Sequence, residues 1–310
     1  MKRETDSKIV LVTQKTRLEN LVQRYNTYGQ AKFYIEHHGG DFSDYSAEHE
    51  TYQSSAQKAT RFLETYGRLQ VIDRDNVPNY IFGKEDIVIA LGRDGLVANV
   101  LKYLENQVLI GVNPDPARWD GLLLPFRAED LQKIVPETVK GIRSIQHITM
   151  AQAKLSDGQI IYGVNDLFIG QKTHTSARYE LSQGRKRESQ SSSGIIVSTG
   201  LGATGWLKSV IAGAQGVARY CGVENLGFSD KLDKNSPLLY YTVREPYPSN
   251  STGAELVFGK IEQNSPLSIV SNMPENGVIF SDGVEQDFLQ FNSGVSAEIR
   301  VADRQGSLVV

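Results

Sequence analysis

Gly92-Arg93-Asp94-Gly95 lies between two aliphatic runs, "IVIAL" and "LVANVL". A buried strand that ends in glycines and enters a helix brings unpaired N–H groups and the positive end of a helix dipole to one point, which suits a phosphate. Glycine also lets backbone approach an anion closely. Gly92, Arg93 and Gly95 are therefore candidate phosphate-binding residues. Asp94 at that mouth is a candidate catalytic carboxylate, able to take a proton from a hydroxyl being phosphorylated or to help hold magnesium. The alternative is an N-cap aspartate in an ordinary βα turn. The spacing is neither G-x-G-x-x-G nor a Walker A loop, which counts against hydride transfer on a dinucleotide and against P-loop chemistry.

Three further stretches carry chemistry-bearing residues. "IGVNPDPARWDGLLLP" (110–125) follows an apolar run, holds Asn113 and Asp115, and turns through two prolines. "VNDLFIG" (164–170) puts Asn165 and Asp166 in an otherwise apolar strand, where buried polar groups need a partner, either neighbouring backbone or a ligand. "SSSGIIVSTGLGATGW" (191–206) reads as a strand, a loop of small residues and a helix entry. Ser193, Thr199, Gly200, Gly202 and Thr204 can wrap a nucleotide closely, and Trp206 can lie against a base or ribose. The alternative for this stretch is a flexible connection with a core tryptophan.

These residues need elements to position them. "KIVLVT", "LQVID", "DIVIAL" and "QVLIGVN" read as short buried strands, and "TRLENLVQRYN", "GQAKFYIEHHGGDF", "SAEHETYQSSAQKATRFLETYG" and "GLVANVLKYLE" as helices. Strand alternating with helix over roughly the first 140 residues predicts a parallel α/β sheet. From about Gln146 the pattern is strand after strand, with "TGWLKSVIAGAQGVARY" as the single helix, which predicts a mostly β second domain, as in a sandwich. The expected division is 1–145, 146–290 and a C-terminal segment 291–310 packing back on the first domain. The site is expected between the domains.

With 40% hydrophobic and 22% charged residues, the 310-residue chain can bury a substantial core. A net charge of −3 argues against a nucleic-acid partner, and Arg185-Lys186-Arg187 reads as a solvated loop. The single Cys221 excludes an intrachain disulfide and counts against a cysteine zinc site. His37 and His38 point about 100° apart on a helix and do not form a metal pair; no residue is assigned as a metal ligand. "MKRETDSK" has no signal-peptide core and no apolar run approaches a membrane span, so no membrane partner and a cytoplasmic setting are expected.

As a set, Gly92-Arg93-Asp94-Gly95, "IGVNPDPARWDGLLLP", "GVNDLFIG", "STGLGATGW" and a late "FSDGVE" resemble the NAD kinase family, most of all its mitochondrial-type branch. Order and spacing agree over about residues 85–210. The resemblance implies an α/β domain followed by a β-rich domain, and transfer of the terminal phosphoryl group of ATP to the 2′-hydroxyl of the adenosine ribose of NAD, with magnesium and assembly as a dimer or tetramer. It implies Asp94 as the base, Asn165 and Asp166 as holders of the acceptor nucleotide, and Thr199, Gly200, Gly202, Thr204 and Trp206 around the acceptor or phosphates. Arg93 stands where the family usually has glycine, Leu96 replaces Thr or Ser, Asp166 is shorter than the common Glu, and Gly205-Trp206 replaces Ala-Tyr. Ser193 stands where many bacterial members carry an acid. At a positive φ, Arg93 would cost roughly 1–2 kcal/mol; its guanidinium either fills the donor phosphate space or binds phosphate bidentately. The other readings are a non-catalytic nucleotide sensor on the same fold and a kinase of a sugar or nucleoside.

Overall fold

The computed structural model describes residues 4–228, 233 and 235–310. The first three residues of the polar opening stretch lie outside them. The chain divides into two compact units, one running up to Gln146 together with Ser307–Val310, the other His147–Gly306.

In the first unit, β1 (Lys8–Thr13), β2 (Arg68–Asp73), β3 (Ile87–Leu91) and β4 (Val108–Val112) form a parallel sheet in the order β2-β1-β3-β4. Ser307 and Leu308 add in parallel beside β4. The central strands are near-continuous aliphatic runs because both faces of a parallel sheet are covered. α1 (Arg17–Tyr25) starts at a capping box of Thr16 and Glu19. α2 (Tyr28–His37) stops before Gly39 at φ +75°. α3 (Phe42–Tyr66) and α5 (Leu131–Val139) bury Tyr52, Leu63, Leu131 and Ile134 with Leu11, Ile89 and Ile110. α4 (Asp94–Leu101) packs between β3 and β4. Sequence periodicity left α5 unassigned, since Pro136 interrupts the helical pattern.

The second unit contains β5 (Ile145–Leu155), β6 (Ile160–Gly163), β7 (Asp166–Gln171), β8 (Ala177–Gln183), β9 (Lys186–Ser192) and β10 (Ile195–Ser198). α6 (Trp206–Tyr220) follows, then β11 (Leu238–Val243), β12 (Phe258–Glu262), β13 (Leu267–Ser271), β14 (Gly277–Ser281), β15 (Phe288–Gln290) and β16 (Ser296–Val309). One sheet is antiparallel in the order β12-β11-β10-β7-β14-β15. Another runs β16-β13-β8-β9, with β5 beside β16 and β6 beside β5. Their inner faces share one core, with Leu167, Ile169, Val197 and Ile279 against Ala153, Tyr179, Leu181 and Ile269.

β8 and β9 correct the reading of the basic cluster. Arg185 is in the turn, and Lys186 and Arg187 begin a strand. The hairpin escaped sequence reading because its outward positions are polar. "SAEIRVA" and "GSLVV" prove to be one 14-residue strand. No helix among the described residues is long and apolar enough to cross a membrane.

Candidate functional site

The loop after β3 is shaped by its own glycine and by α3. Gly92 is buried, and a Cβ there would lie 2.8 Å from Leu96 Cδ2. The Tyr52 hydroxyl donates to the Leu91 carbonyl (3.1 Å) and accepts from the Gln14 N–H (2.9 Å), bracing the strand end. Burial pushes that phenol up to about 12. Arg93, not Asp94, is the N-cap of α4, at φ −110° and ψ 168°. This is ordinary extended backbone, so the strain expected for a side chain at position 93 does not arise. Asp94 is the first helical residue, and its Oδ1 accepts the Leu123 N–H at 2.6 Å. Gly95 is exposed, with open space where a Cβ would be.

The Arg93 guanidinium is engaged from two sides. It donates to Glu48 Oε1 at 2.9 Å and lies 4.0 Å from the centre of the Trp119 ring. Glu48, only 7% exposed, also pairs with Arg17. Arg17 reaches Asp44 (2.7 Å), Asp44 pairs with Arg118 (2.6 Å), and Arg118 with Asp115 (3.4 Å). Hydrogen bonds from Arg17 and Arg118 hold the Asp44 carboxyl below its usual range. Asn113 is spent inside its loop, since Nδ2 donates to the Trp119 carbonyl (2.9 Å) and Oδ1 accepts the Asp115 N–H (3.0 Å). Gly111 admits that loop, since a Cβ there would stand 2.0 Å from the Leu123 carbonyl oxygen.

In the second unit Asn165 sits in the bend before β7 and Asp166 is the strand's first residue. Thr199 locks this bend to the end of β10. Its hydroxyl donates to the Val164 carbonyl (2.6 Å), its N–H to the Asn165 carbonyl (3.0 Å), and the Gly202 N–H returns to its oxygen (3.1 Å). A Cβ on Gly202 would fall 1.9 Å from the Asn165 carbonyl oxygen, so only glycine fits. Gly200 is buried in the same connection, and Thr204 is exposed with its hydroxyl on the Leu201 carbonyl. Asp166 is 8% exposed, yet its side chain makes no hydrogen bond among the described residues. Burial, aided by the charge of Asp282, pushes its carboxyl up to about 7.

The outer face of the same sheet carries a cleft of ≈370 Å³. Trp206 and Phe168 stack in it (ring centres 5.8 Å apart, planes at 10°), and Phe280 packs on Phe168 at 4.8 Å. The Arg244 guanidinium lies 5.6 Å from the Trp206 ring centre. Lys172, His174 and the exposed Ser193 complete the rim with Glu285. An aromatic floor beside cations suits a planar ligand that carries negative charge.

Gly92, Arg93, Asp94 and Asn113 thus meet around one loop, 113–123. Asn165, Asp166, Thr199 and Gly202 meet at one bend, and Ser193 and Trp206 share the cleft. Glu48, Phe168, Lys172 and Phe280 were not foreseen. Glu48 looks like one more polar residue of a long helix, and the others look like strand residues.

No family model matches the chain, and no curated protein matches it. Solved structures do. The yeast NADH kinase complexed with NADH aligns with a TM-score of 0.58 at 14% identity, over 99% of this chain and 84% of that one. An NAD kinase from Archaeoglobus fulgidus in complex with ATP aligns with a TM-score of 0.57 at 14% identity, over 97% and 93%. The chain therefore has an NAD kinase-like fold, an α/β domain followed by a mostly β domain.

Proposed function

We propose that the chain is an NAD kinase-like phosphotransferase that moves the terminal phosphoryl group of ATP to the 2′-hydroxyl of the adenosine ribose of NAD, giving NADP. The observation that carries this reading is Asp94, in the first turn of α4 with one carboxylate oxygen on the Leu123 N–H and its charge beside the glycine loop. That oxygen bond orients the carboxylate, and the second oxygen takes the proton of the attacking hydroxyl. Phosphoryl transfer depends mainly on positioning and charge neutralisation. The Asp94 and Gly95 N–H groups at the start of α4 supply part of that neutralisation, while the Gly92 N–H is held by the Val112 carbonyl.

Asn165, Asp166, Thr199, Gly200, Gly202 and Thr204 hold the acceptor nucleotide in this reading. Ser193, Trp206 and Arg244 take a base and its phosphate in the cleft, and Asn113 acts through the loop it shapes. No group of three or more His, Cys, Asp or Glu side chains that could hold a metal occurs among the described residues. Magnesium carried by triphosphate needs only one or two protein carboxylates, and Asp94 would contribute one in place of acting as the base. Assembly as a dimer or tetramer rests on the sequence resemblance and a cytoplasmic setting on the polar opening stretch; light scattering and fractionation check them.

One observation favours the sensor reading. The Arg93 side chain turns onto Trp119 and Glu48, where it lines a cavity of only ≈10 Å³ and is engaged before any phosphate arrives. The deciding experiment incubates the protein with magnesium-ATP and NAD, NADH, or a sugar and nucleoside panel, and follows products by mass. NADP formation lost in Asp94→Asn supports the kinase. Tight NAD binding without turnover of any acceptor replaces it with the sensor, and turnover of the panel alone with another hydroxyl kinase.

A further inference from the structure

The Asn165–Asp166 bend is held by a residue far away in sequence. The Asp282 carboxylate accepts three consecutive N–H groups, those of Val164 (3.1 Å), Asn165 (2.6 Å) and Asp166 (3.3 Å). The Asp282 N–H in turn donates to the Asp166 carbonyl at 3.1 Å. The local chain explains why a small polar residue stands there. Asp282 and Gly283 have φ +53° and +70°, and the Val284 N–H closes on the Ser281 carbonyl at 3.0 Å. Two successive residues in the left-handed region make a primed turn, which accepts Asn, Asp or Gly at its first position. Asn serves that backbone as well as Asp does, so the turn itself does not require a carboxylate. Three converging N–H groups do favour one, since charge-assisted bonds are the stronger.

We propose that Asp282 is the positioning residue of the Asn165–Asp166 bend: its carboxylate orders the bend, and its charge adds to burial in deciding whether Asp166 meets a ligand as hydrogen-bond donor or acceptor. The inference rests on the reading that this bend holds a nucleotide. The groups facing Asp166 are few. Ser198 of β10 pairs with it in register, Ser281 of β14 pairs with its neighbour Leu167, and Asp282 follows. Among the described residues Asp282 is the one charge that acts on the Asp166 carboxyl. A buried carboxyl beside a fixed anion stays protonated toward neutral pH and can then donate to a ribose or phosphate oxygen. Without the anion it ionises earlier and accepts instead.

The test uses the full-length protein with carboxyl-labelled aspartate. Carbon NMR should show the Asp166 titration midpoint falling by about one pH unit or more in Asp282→Asn. An unchanged midpoint overturns the proposal. NAD affinity, measured by calorimetry across pH, should move its pH dependence down in step, so that at pH 7 Asp282→Asn binds NAD about fivefold more weakly. An unchanged affinity profile also overturns it. Should Asp282→Asn fail to fold, hydrogen exchange in the wild type decides, with slow amides at 164, 165 and 166 expected and fast ones against it. Should the wild type bind no NAD, the nucleotide reading fails, while the NMR titration still reports whether Asp282 controls Asp166.

Discussion

The glycine loop of the first unit and the Asn165 bend of the second both tie backbone to a distant segment through an aspartate, and they treat their charges in opposite ways. Arg93 belongs to an alternating chain of charges, Arg93–Glu48–Arg17–Asp44–Arg118–Asp115. Around Asp166 two carboxyl groups lie together, with backbone N–H groups serving one of them and burial raising the other. The paired network holds the loop in one shape. The unpaired carboxyl keeps a hydrogen-bonding capacity that a ligand can complete. Both regions also depend on a glycine that admits a carbonyl, Gly111 against Leu123 and Gly202 against Asn165.

The sharpest break of this comparison is at Asp94. Asp94→Asn keeps an oxygen for the Leu123 N–H, so thermal stability should hold while NADP formation falls by roughly 10²–10⁴-fold; equal loss of folding and activity would assign Asp94 a structural role. Next come the two glycines. Gly202→Ala and Gly111→Ala should each cost about 3 kcal/mol in urea unfolding, because the colliding atom is backbone and cannot turn away.

Asp166 comes third. Its folded-state carboxyl titrates near 7, above the ordinary carboxylate range. The stability tied to its protonated form is complete below the unfolded-state value and is lost as pH rises through 7. The wild type should therefore lose stability between about pH 4 and 7 and level off above it, and Asp166→Asn should remove that slope and exceed the wild type at pH 8 by about 2 kcal/mol. An identical slope in both proteins would show that Asp166 is not the titrating group. The smallest effect is expected at Glu48. Glu48→Gln leaves two arginines without their buried anion, but both are more than a third exposed. Water screens them, so the expected cost is about 1 kcal/mol, read from the urea midpoint.

Much of this was legible in the chain. Unbroken aliphatic runs such as "IVLV" and "IVIAL" specify strands buried on both faces, whatever surrounds them. The glycine loop, the Asn165-Asp166 pair and the "STGLGATGW" connection announced themselves by putting small or charged residues where packing would prefer apolar ones. The basic hairpin of β8 and β9 was hidden, because half of its residues face outward and the alternating inward Ala177, Tyr179 and Leu181 are widely spaced among polar neighbours. α5 was hidden by Pro136.

Sequence alone thus determined most of the order of elements, the class of the fold and which short stretches could do chemistry, because strand and helix periodicity and glycine content are local properties. The tertiary structure decided the rest. Only folding brings Glu48 to Arg93, Leu123 to Asp94 and Asp282 to the bend at 164–166, at separations of 45, 29 and 117 residues along the chain for the bonds at Arg93, Asp94 and Asn165. Whether a carboxylate is paired, orienting or left to a ligand depends on those neighbours and on its distance from water, and neither is written in the residues beside it.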